Sequence, residues 1–171
     1  MRGWWLVLFG TVGCAAETDN DRIVIGFFGI EGTRTEVCAE AGLLAAPEKM
    51  VPTAHLQRFD RMLQWDDGTG LKVGEYVIES QSFEVEQSVF VDMRQDQQGD
   101  ELLPCTIERR LVIAGTLSGD EAKGFSGFEG TWSYVYVPTS GSSCDDLLSG
   151  DVPIATALPC TVAFSIVGQA Q

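Results

Sequence analysis

The chain has 171 residues, of which 44% are hydrophobic and 21% are charged, a composition typical of one globular domain rather than a disordered segment. Its formal net charge of −14 gives a surface that repels phosphate backbones, so nucleic acid is excluded as an expected partner. The same charge disfavours electrostatic binding to anionic lipid, so any membrane attachment is expected to be covalent.

The first twenty residues have the features of an export signal. Arg2 is followed by an apolar run that begins at Trp4 and ends near Val12. This run is too short to cross ~30 Å of hydrocarbon as a helix, and its length fits the central region of a signal peptide. Small residues follow on both sides of Cys14. The predicted segments are a signal peptide at 1–13, a polar tether at 14–21 and a single domain at 22–171.

The stretch Thr11-Val12-Gly13-Cys14 resembles the lipobox of bacterial lipoproteins, in which a small residue precedes a cysteine that becomes diacylated. It departs from the family at Thr11, where leucine or another aliphatic residue is preferred. The resemblance implies a lipid at Cys14 that anchors the protein to a membrane of the cell envelope. Because Ala15 rather than aspartate follows, it also implies the outer membrane in a Gram-negative host. The alternative is an ordinary signal cleaved after Ala16, which would give a soluble secreted protein.

Beyond the tether, short apolar runs separated by turn residues predict strands rather than a repeated helical pattern. Residues 22–30 and 33–38 are expected to form a hairpin around Glu31-Gly32. Residues 53–65 fit either a short helix or a strand, and the β character of the rest of the chain favours the strand. The clearest strand is 83–93, in which apolar and polar residues alternate.

The remaining segments continue this pattern toward the C-terminus. Further strands are expected at 71–79, 107–113, 131–137 and 161–167. In the second of these, Arg109 shares a face with Ile107 and Ile113. A long loop is expected from Pro138 to Pro159, with one helical turn at 145–149. Eight or nine strands with short links predict an all-β fold, an antiparallel meander that forms a sandwich or flattened barrel.

Four cysteines lie in the predicted domain, and in an exported protein four such residues predict two disulfides. Cys144 and Cys160 bracket the long loop, so the sequence favours that pair together with Cys38–Cys105. The rival pair is Cys105–Cys160, which would join two strand starts with the same Leu-Pro-Cys-Thr sequence.

No catalytic motif is evident in the sequence. His55 is the only histidine, so a Ser-His-Asp or Cys-His site would need it, and a surface position without a catalytic role is expected for it. Four acidic pairs lie in predicted turns, where aspartate is common: Asp66-Asp67, Asp100-Glu101, Asp120-Glu121 and Asp145-Asp146. They do not match an EF-hand, so no metal or other cofactor is expected.

The best candidate for a binding surface is the stripe of Trp132, Tyr134 and Tyr136, because aromatic faces stack against sugars or apolar ligands. The same stripe also fits packing within a core. The leading hypothesis is a non-catalytic lipoprotein of the cell envelope, a binding or structural module for an unknown protein or small molecule. One alternative is a carrier that holds a small apolar ligand inside a β-barrel. The other is a hydrolase whose carboxylates meet in space.

Overall fold

The computed structural model of the protein describes residues 22–40, 44–94, 103–149 and 153–171. Nine strands within these ranges form one antiparallel sheet. In chain order they are β1 (Arg22–Glu36), β2 (Lys49–Met50), β3 (Thr53–Phe59), β4 (Met62–Asp66), β5 (Leu71–Val77), β6 (Ser82–Asp92), β7 (Thr106–Asp120), β8 (Gly124–Pro138) and β9 (Cys160–Ala170). One helical turn, α1 (Asp145–Leu148), lies between β8 and β9.

Eight of the nine strands close into a barrel. From β3 to β9 each strand pairs with the next one along the chain, and β1 pairs with β3 on one side and with β9 on the other. The two-residue β2 extends the β3 side along the second half of β1. The predicted all-β antiparallel meander is therefore confirmed, and closure satisfies the backbone groups that an open sheet would leave at its edges.

The two ends of the barrel differ in their connections. At one end, which we call the tight-turn end, strands are joined by short turns at 60–61, 78–81 and 121–123. Arg22 pairs with Phe59, so the described chain begins at this end. At the other end, which we call the loop end, strands are joined by the loop 67–70 and by three long connections at 37–52, 93–105 and 139–159.

Alternation of apolar and polar residues determines which side of a strand faces inward. In β6, Phe83 and Val85 are buried, whereas Glu84 and Glu86 are exposed. Successive side chains of a strand point to opposite faces, so the apolar set lines the barrel interior and the acidic set covers its outside. This agrees with the strand predicted at 83–93.

Aromatic rings fill the centre of the barrel. The ring centroid of the fully buried Trp65 lies 5.8 Å from those of Phe128 and Trp132 and 5.9 Å from that of Phe83. Burial of one large apolar side chain stabilises a fold by ~1.5–3 kcal/mol, and edge-to-face ring contacts add ~0.5–1.5 kcal/mol. At this level the barrel is a packed core rather than a channel.

The hairpin predicted around Glu31-Gly32 is wrong, because β1 continues through these residues to Glu36. The ladder with β9 spans residues 28–36 of β1, and its hydrogen bonds hold the chain extended there. Gly32 serves close packing instead of a turn, since a Cβ on it would lie 3.2 Å from Cγ2 of Ile166 and would collide with the Met50 side chain.

The segment 53–65 contains two strands, so the preference for β over helix is confirmed but the single element is wrong. The chain reverses between β3 and β4 at Asp60, whose φ of 53° is left-handed. Aspartate tolerates this conformation better than most residues other than glycine. Because no glycine marks the turn, the pattern of apolar residues alone did not reveal it.

Both disulfides lie at the loop end, as Cys38–Cys160 and Cys105–Cys144. The predicted pairs Cys38–Cys105 and Cys144–Cys160 are wrong, and so is the rival Cys105–Cys160. Barrel closure places the end of β1 beside the start of β9, and the β7–β8 hairpin likewise joins the other two cysteines. Two such bonds are typical of proteins that fold in an oxidising compartment, outside the cell or in its envelope.

Candidate functional site

The tight-turn end is closed by a buried cation. The guanidinium of Arg58 donates to both carboxylate oxygens of Glu121, at 2.8 and 2.7 Å, and to the carbonyl of Asp60 at 3.0 Å. It also lies 5.8 Å from the centre of the Tyr76 ring. Because Glu121 neutralises the guanidinium and the Tyr76 ring covers it, Arg58 is not available to bind an anionic ligand at this end.

Two adjoining hollows lie at the loop end, among the described residues of β5 to β8 and of the loop-end connections. The larger has a volume of about 200 Å³ and is lined by Leu44, Val91, Met93, Ile107, Arg109 and Tyr136. The smaller has a volume of about 80 Å³ and is bordered by Thr69, Lys72, Gln87 and Tyr134 as well as by Arg109. We call the two hollows together the mouth. Arg109 borders both, so it is the group that a ligand in either hollow would meet.

Arg109 is a cation without a carboxylate partner among the described residues. Its guanidinium carbon lies 5.9 Å from the centre of the Tyr134 ring, a distance at which a cation is attracted to the face of an aromatic ring. Burial raises the pKa of the neighbouring Tyr136, although the charge of Arg109 opposes the rise. The Tyr136 phenol is therefore neutral at physiological pH and keeps a hydrogen to donate.

Lys72, the second cation of the mouth, is already neutralised. Its Nζ lies 2.8 Å from Oδ1 of Asp67, and the two side chains are only 6% and 4% exposed. Thr69 Oγ1 and the Gly70 carbonyl complete its coordination, at 3.0 and 3.2 Å. Burial opposes ionisation of Asp67, but the hydrogen bonds from Lys72 and Thr69 outweigh it and lower the pKa of this carboxyl.

Loss of the Asp67 carboxylate is expected to destabilise the protein at neutral pH. Because the folded pKa of Asp67 lies below its usual value of 3.8, the pair stabilises the fold fully above that value, and the contribution is lost as the pH falls through the folded pKa. Asp67→Asn leaves Lys72 buried without its anion and is expected to cost ~1–3 kcal/mol at pH 7.

Urea unfolding of four proteins measures this contribution: the wild type, Asp67→Asn, Lys72→Met and the double variant. The free energy of unfolding of the double variant is expected to fall by less than the sum of the two single decreases, because the double variant leaves no unpaired charge. Additive losses would show that the two side chains do not stabilise each other.

The aromatic stripe predicted from the sequence divides into two parts. Trp132 is 4% exposed and packs against Trp65 in the barrel centre, as a core residue does. Tyr134 and Tyr136 are half-buried and line the mouth, with ring centroids 6.5 Å apart. Only the two tyrosines are therefore placed to contact a ligand.

His55 lies half-buried on the outer surface of the barrel, away from the mouth. Its ring stacks on that of Phe27 with centroids 4.0 Å apart, and Gln57 Nε2 lies 3.1 Å from its Nδ1. These contacts account for its position by packing alone.

The acidic pairs are divided between the two ends of the barrel. Asp66-Asp67 and Asp145-Asp146 lie at the loop end and Asp120-Glu121 at the tight-turn end, while Asp100-Glu101 falls outside the described residues. Each described pair has a member bound to a buried cation, namely Asp67, Glu121 and Asp146, and Asp120 also lies 3.7 Å from Lys123. Among the described residues, no group of three or more His, Cys, Asp or Glu is arranged to hold a metal.

A larger groove of about 570 Å³ lies on the outer face of β5 to β8, but its chemistry differs from that of the mouth. Glu75 and Glu84 stand directly opposite each other across β5 and β6, and Glu129 also borders the groove. Like charges in this arrangement repel. The mouth is smaller, but it combines apolar walls with a few polar groups, the pattern typical of ligand sites.

Arg109 is a site residue that the sequence motifs did not predict. The sequence does indicate its position, because Arg109 lies on the same face of β7 as the buried Ile107 and Ile113. That face points into the barrel. An arginine on the inner face of a strand would be costly to bury without a partner, and Arg109 avoids that cost because it lies near the start of β7 and is exposed.

In the part of the chain that the structure describes, no helix is long and apolar enough to cross a membrane. The predicted lipid attachment at Cys14 falls outside the described residues. No family model matches the chain, and neither a curated protein nor a solved structure is significantly similar to it.

Proposed function

We propose that the protein is a non-catalytic, lipid-anchored binding module of the cell envelope, and that it binds its ligand at the loop end. The observation that carries this proposal is the contrast between the two ends. At the tight-turn end, the cation Arg58 is paired with Glu121. At the loop end, Arg109 stands unpaired among the described residues, beside two half-buried tyrosines.

The packed centre of the barrel argues against a deep carrier for an apolar molecule. Trp65 and Phe128 occupy the middle of the interior with at most 1% exposure. The larger hollow of the mouth, about 200 Å³, is smaller than the ~300–1,000 Å³ of most small-molecule pockets. A ligand therefore enters the mouth with one small group and leaves the rest of itself in solvent or on the loops.

The position of Arg22 supports an arrangement in which the mouth points away from the membrane. Cys14 precedes Arg22 by eight residues, so a tether between them spans at most about 28 Å. Strands of fifteen residues such as β7 are about 50 Å long, which at the usual barrel tilt gives a height of about 35–40 Å. A lipid at Cys14 therefore holds the tight-turn end near the bilayer, because the tether is too short to reach past the barrel.

Metabolic labelling with an azide-bearing fatty acid tests the anchor. The wild type is expected to take up the label and Cys14→Ser to lose it. Ala16→Ser changes a neighbouring small residue without removing the sulfur, so it is expected to be labelled like the wild type. Equal labelling of the wild type and Cys14→Ser would overturn the anchor, and an unlabelled wild type in the medium would favour the soluble secreted form.

Fluorescence quenching on vesicles tests the orientation. A fluorophore is placed, through an unnatural amino acid, at Ala122 in a tight turn or at Ser140 in a loop, both of which are exposed. The acylated protein is then bound to vesicles whose headgroups carry a quencher. Stronger quenching at Ala122 is expected, and stronger quenching at Ser140 would contradict the proposed arrangement.

A further inference from the structure

We propose that the mouth binds a small organic carboxylate, with the carboxylate on Arg109 and a compact apolar or aromatic group in the larger hollow. This inference rests on the proposed binding function and names the class of ligand. It is drawn from three features of the mouth: a cation without a carboxylate partner among the described residues, the apolar hollow beside that cation, and the size of the hollow.

The charge of the mouth selects a monoanion. Lys72 is neutralised by Asp67, so Arg109 is the cation that remains without a carboxylate among the described residues. The protein as a whole carries −14, which disfavours highly charged anions. One guanidinium balances one negative charge, and its planar fork matches a carboxylate with two parallel hydrogen bonds. A phosphate monoester carries nearly two charges at pH 7 and would leave one of them unbalanced.

The walls of the larger hollow select an apolar group next to that charge. Four of its lining side chains are aliphatic or thioether, namely Leu44, Val91, Met93 and Ile107, and Tyr136 adds a ring. Burying a small apolar group here is favourable at roughly 25 cal/mol per Å² removed from water. Leu44 is 8% exposed, and its amide donates to the carbonyl of Ile154 at 3.0 Å, so this wall is fixed to a neighbouring loop.

The tyrosines orient the ligand between these two features. The Tyr134 ring lies beneath the guanidinium of Arg109 and restricts where it can point. Tyr136 borders the apolar hollow, and its phenol stays protonated because burial raises its pKa. A carboxylate on Arg109 therefore projects its apolar substituent toward Val91 and Met93.

Titration calorimetry with benzoate tests the proposal, with three probes that each lack one feature. Acetate keeps the charge without the ring, benzyl alcohol keeps the ring without the charge, and inorganic phosphate replaces the carboxylate. Benzoate is expected to bind more tightly than all three. Binding of acetate, benzyl alcohol or phosphate as tight as that of benzoate would overturn the proposal.

Two variants and one matched control assign the binding to the mouth. Arg109→Gln is expected to weaken benzoate binding by roughly 10- to 100-fold, the factor for loss of hydrogen bonds to a charged group. Arg110→Gln removes the next arginine, which lies on the outer face 3.7 Å from Glu86, and is expected to leave the affinity within twofold. Val91→Phe fills the hollow without changing charge and is expected to abolish binding.

Equal affinity in the wild type and Arg109→Gln would overturn the assignment to this site, and so would unchanged affinity in Val91→Phe. Thermal unfolding of each variant shows whether a loss of binding reflects loss of the fold. Failure of this proposal is distinguishable from failure of the proposed function, because lipid labelling at Cys14 and the orientation of the barrel are measured without any ligand.

Discussion

Replacement of both Cys38 and Cys160 by alanine is expected to lower the free energy of unfolding by ~5 kcal/mol. The bond joins residues separated by 122 positions, so it removes a large loop-closure entropy from the unfolded chain. It also ties β1 to β9, the pair of strands that closes the barrel. Since domains are stable by only ~5–15 kcal/mol, this one change removes a large part of the total.

The second disulfide provides the control. Cys105 and Cys144 are separated by 39 positions, so replacing both by alanine is expected to cost ~4 kcal/mol in the same entropic model. Urea unfolding measures both losses, and mass spectrometry of non-reduced peptides identifies the bonds. A smaller loss for the Cys38/Cys160 variant would contradict the entropic ranking, and a peptide joining Cys144 to Cys160 would contradict the pairing.

The second large effect is expected at the centre of the barrel, where Trp65→Ala should cost ~3–5 kcal/mol. The side chain is fully buried and contacts the rings of Phe83, Phe128 and Trp132. Its removal leaves a cavity that three rigid neighbours cannot refill. Chemical unfolding followed by far-UV circular dichroism measures the loss.

Phe90→Ala is the matched control for the core variant. Phe90 is also an aromatic residue of a strand, but it is 70% exposed on the outside of β6, and a change of less than ~0.5 kcal/mol is expected there. Similar losses for the two variants would show that Trp65 does not pack in the barrel centre.

The fold class could be predicted from the sequence because alternation is a local property. The apolar and polar residues of β6 alternate over most of its length, and that pattern alone indicates a strand with one buried face. Closure between β1 and β9 is a contact between distant parts of the chain, for which the sequence carries no local signal. The same limit explains the turn misplaced at Gly32, where close packing rather than chain reversal requires the glycine.

Only one of the two disulfides has a local signal in the sequence. Cys38 meets Cys160 only because the barrel closes, which could not be predicted from local patterns. Cys105 directly precedes β7, and Cys144 follows the end of β8 by six residues, so a β7–β8 hairpin brings both cysteines to the same end of the barrel. The predicted Cys144–Cys160 pair was based on the loop that these two cysteines bracket. Bracketing a loop does not by itself specify which cysteines pair.

Only part of the candidate site could be predicted from the sequence. The stripe of Tyr134 and Tyr136 follows from period-two spacing, but the same spacing includes Trp132, which the structure buries. Depth along the barrel axis separates these residues, and a strand pattern does not encode it. Arg109 gains its importance from the absence of a nearby carboxylate among the described residues, which is a property of the folded surface.

The most direct test of the claim that the loop end is the binding end is an amide NMR titration of the purified chain with benzoate. We expect shifts that saturate and that cluster at Val91, Arg109 and Tyr136. Amides of the tight-turn end, such as those of Arg58 and Glu121, are expected to stay unchanged. Shifts centred on the tight-turn end or on the outer surface around His55, or no saturable shift anywhere, would contradict it.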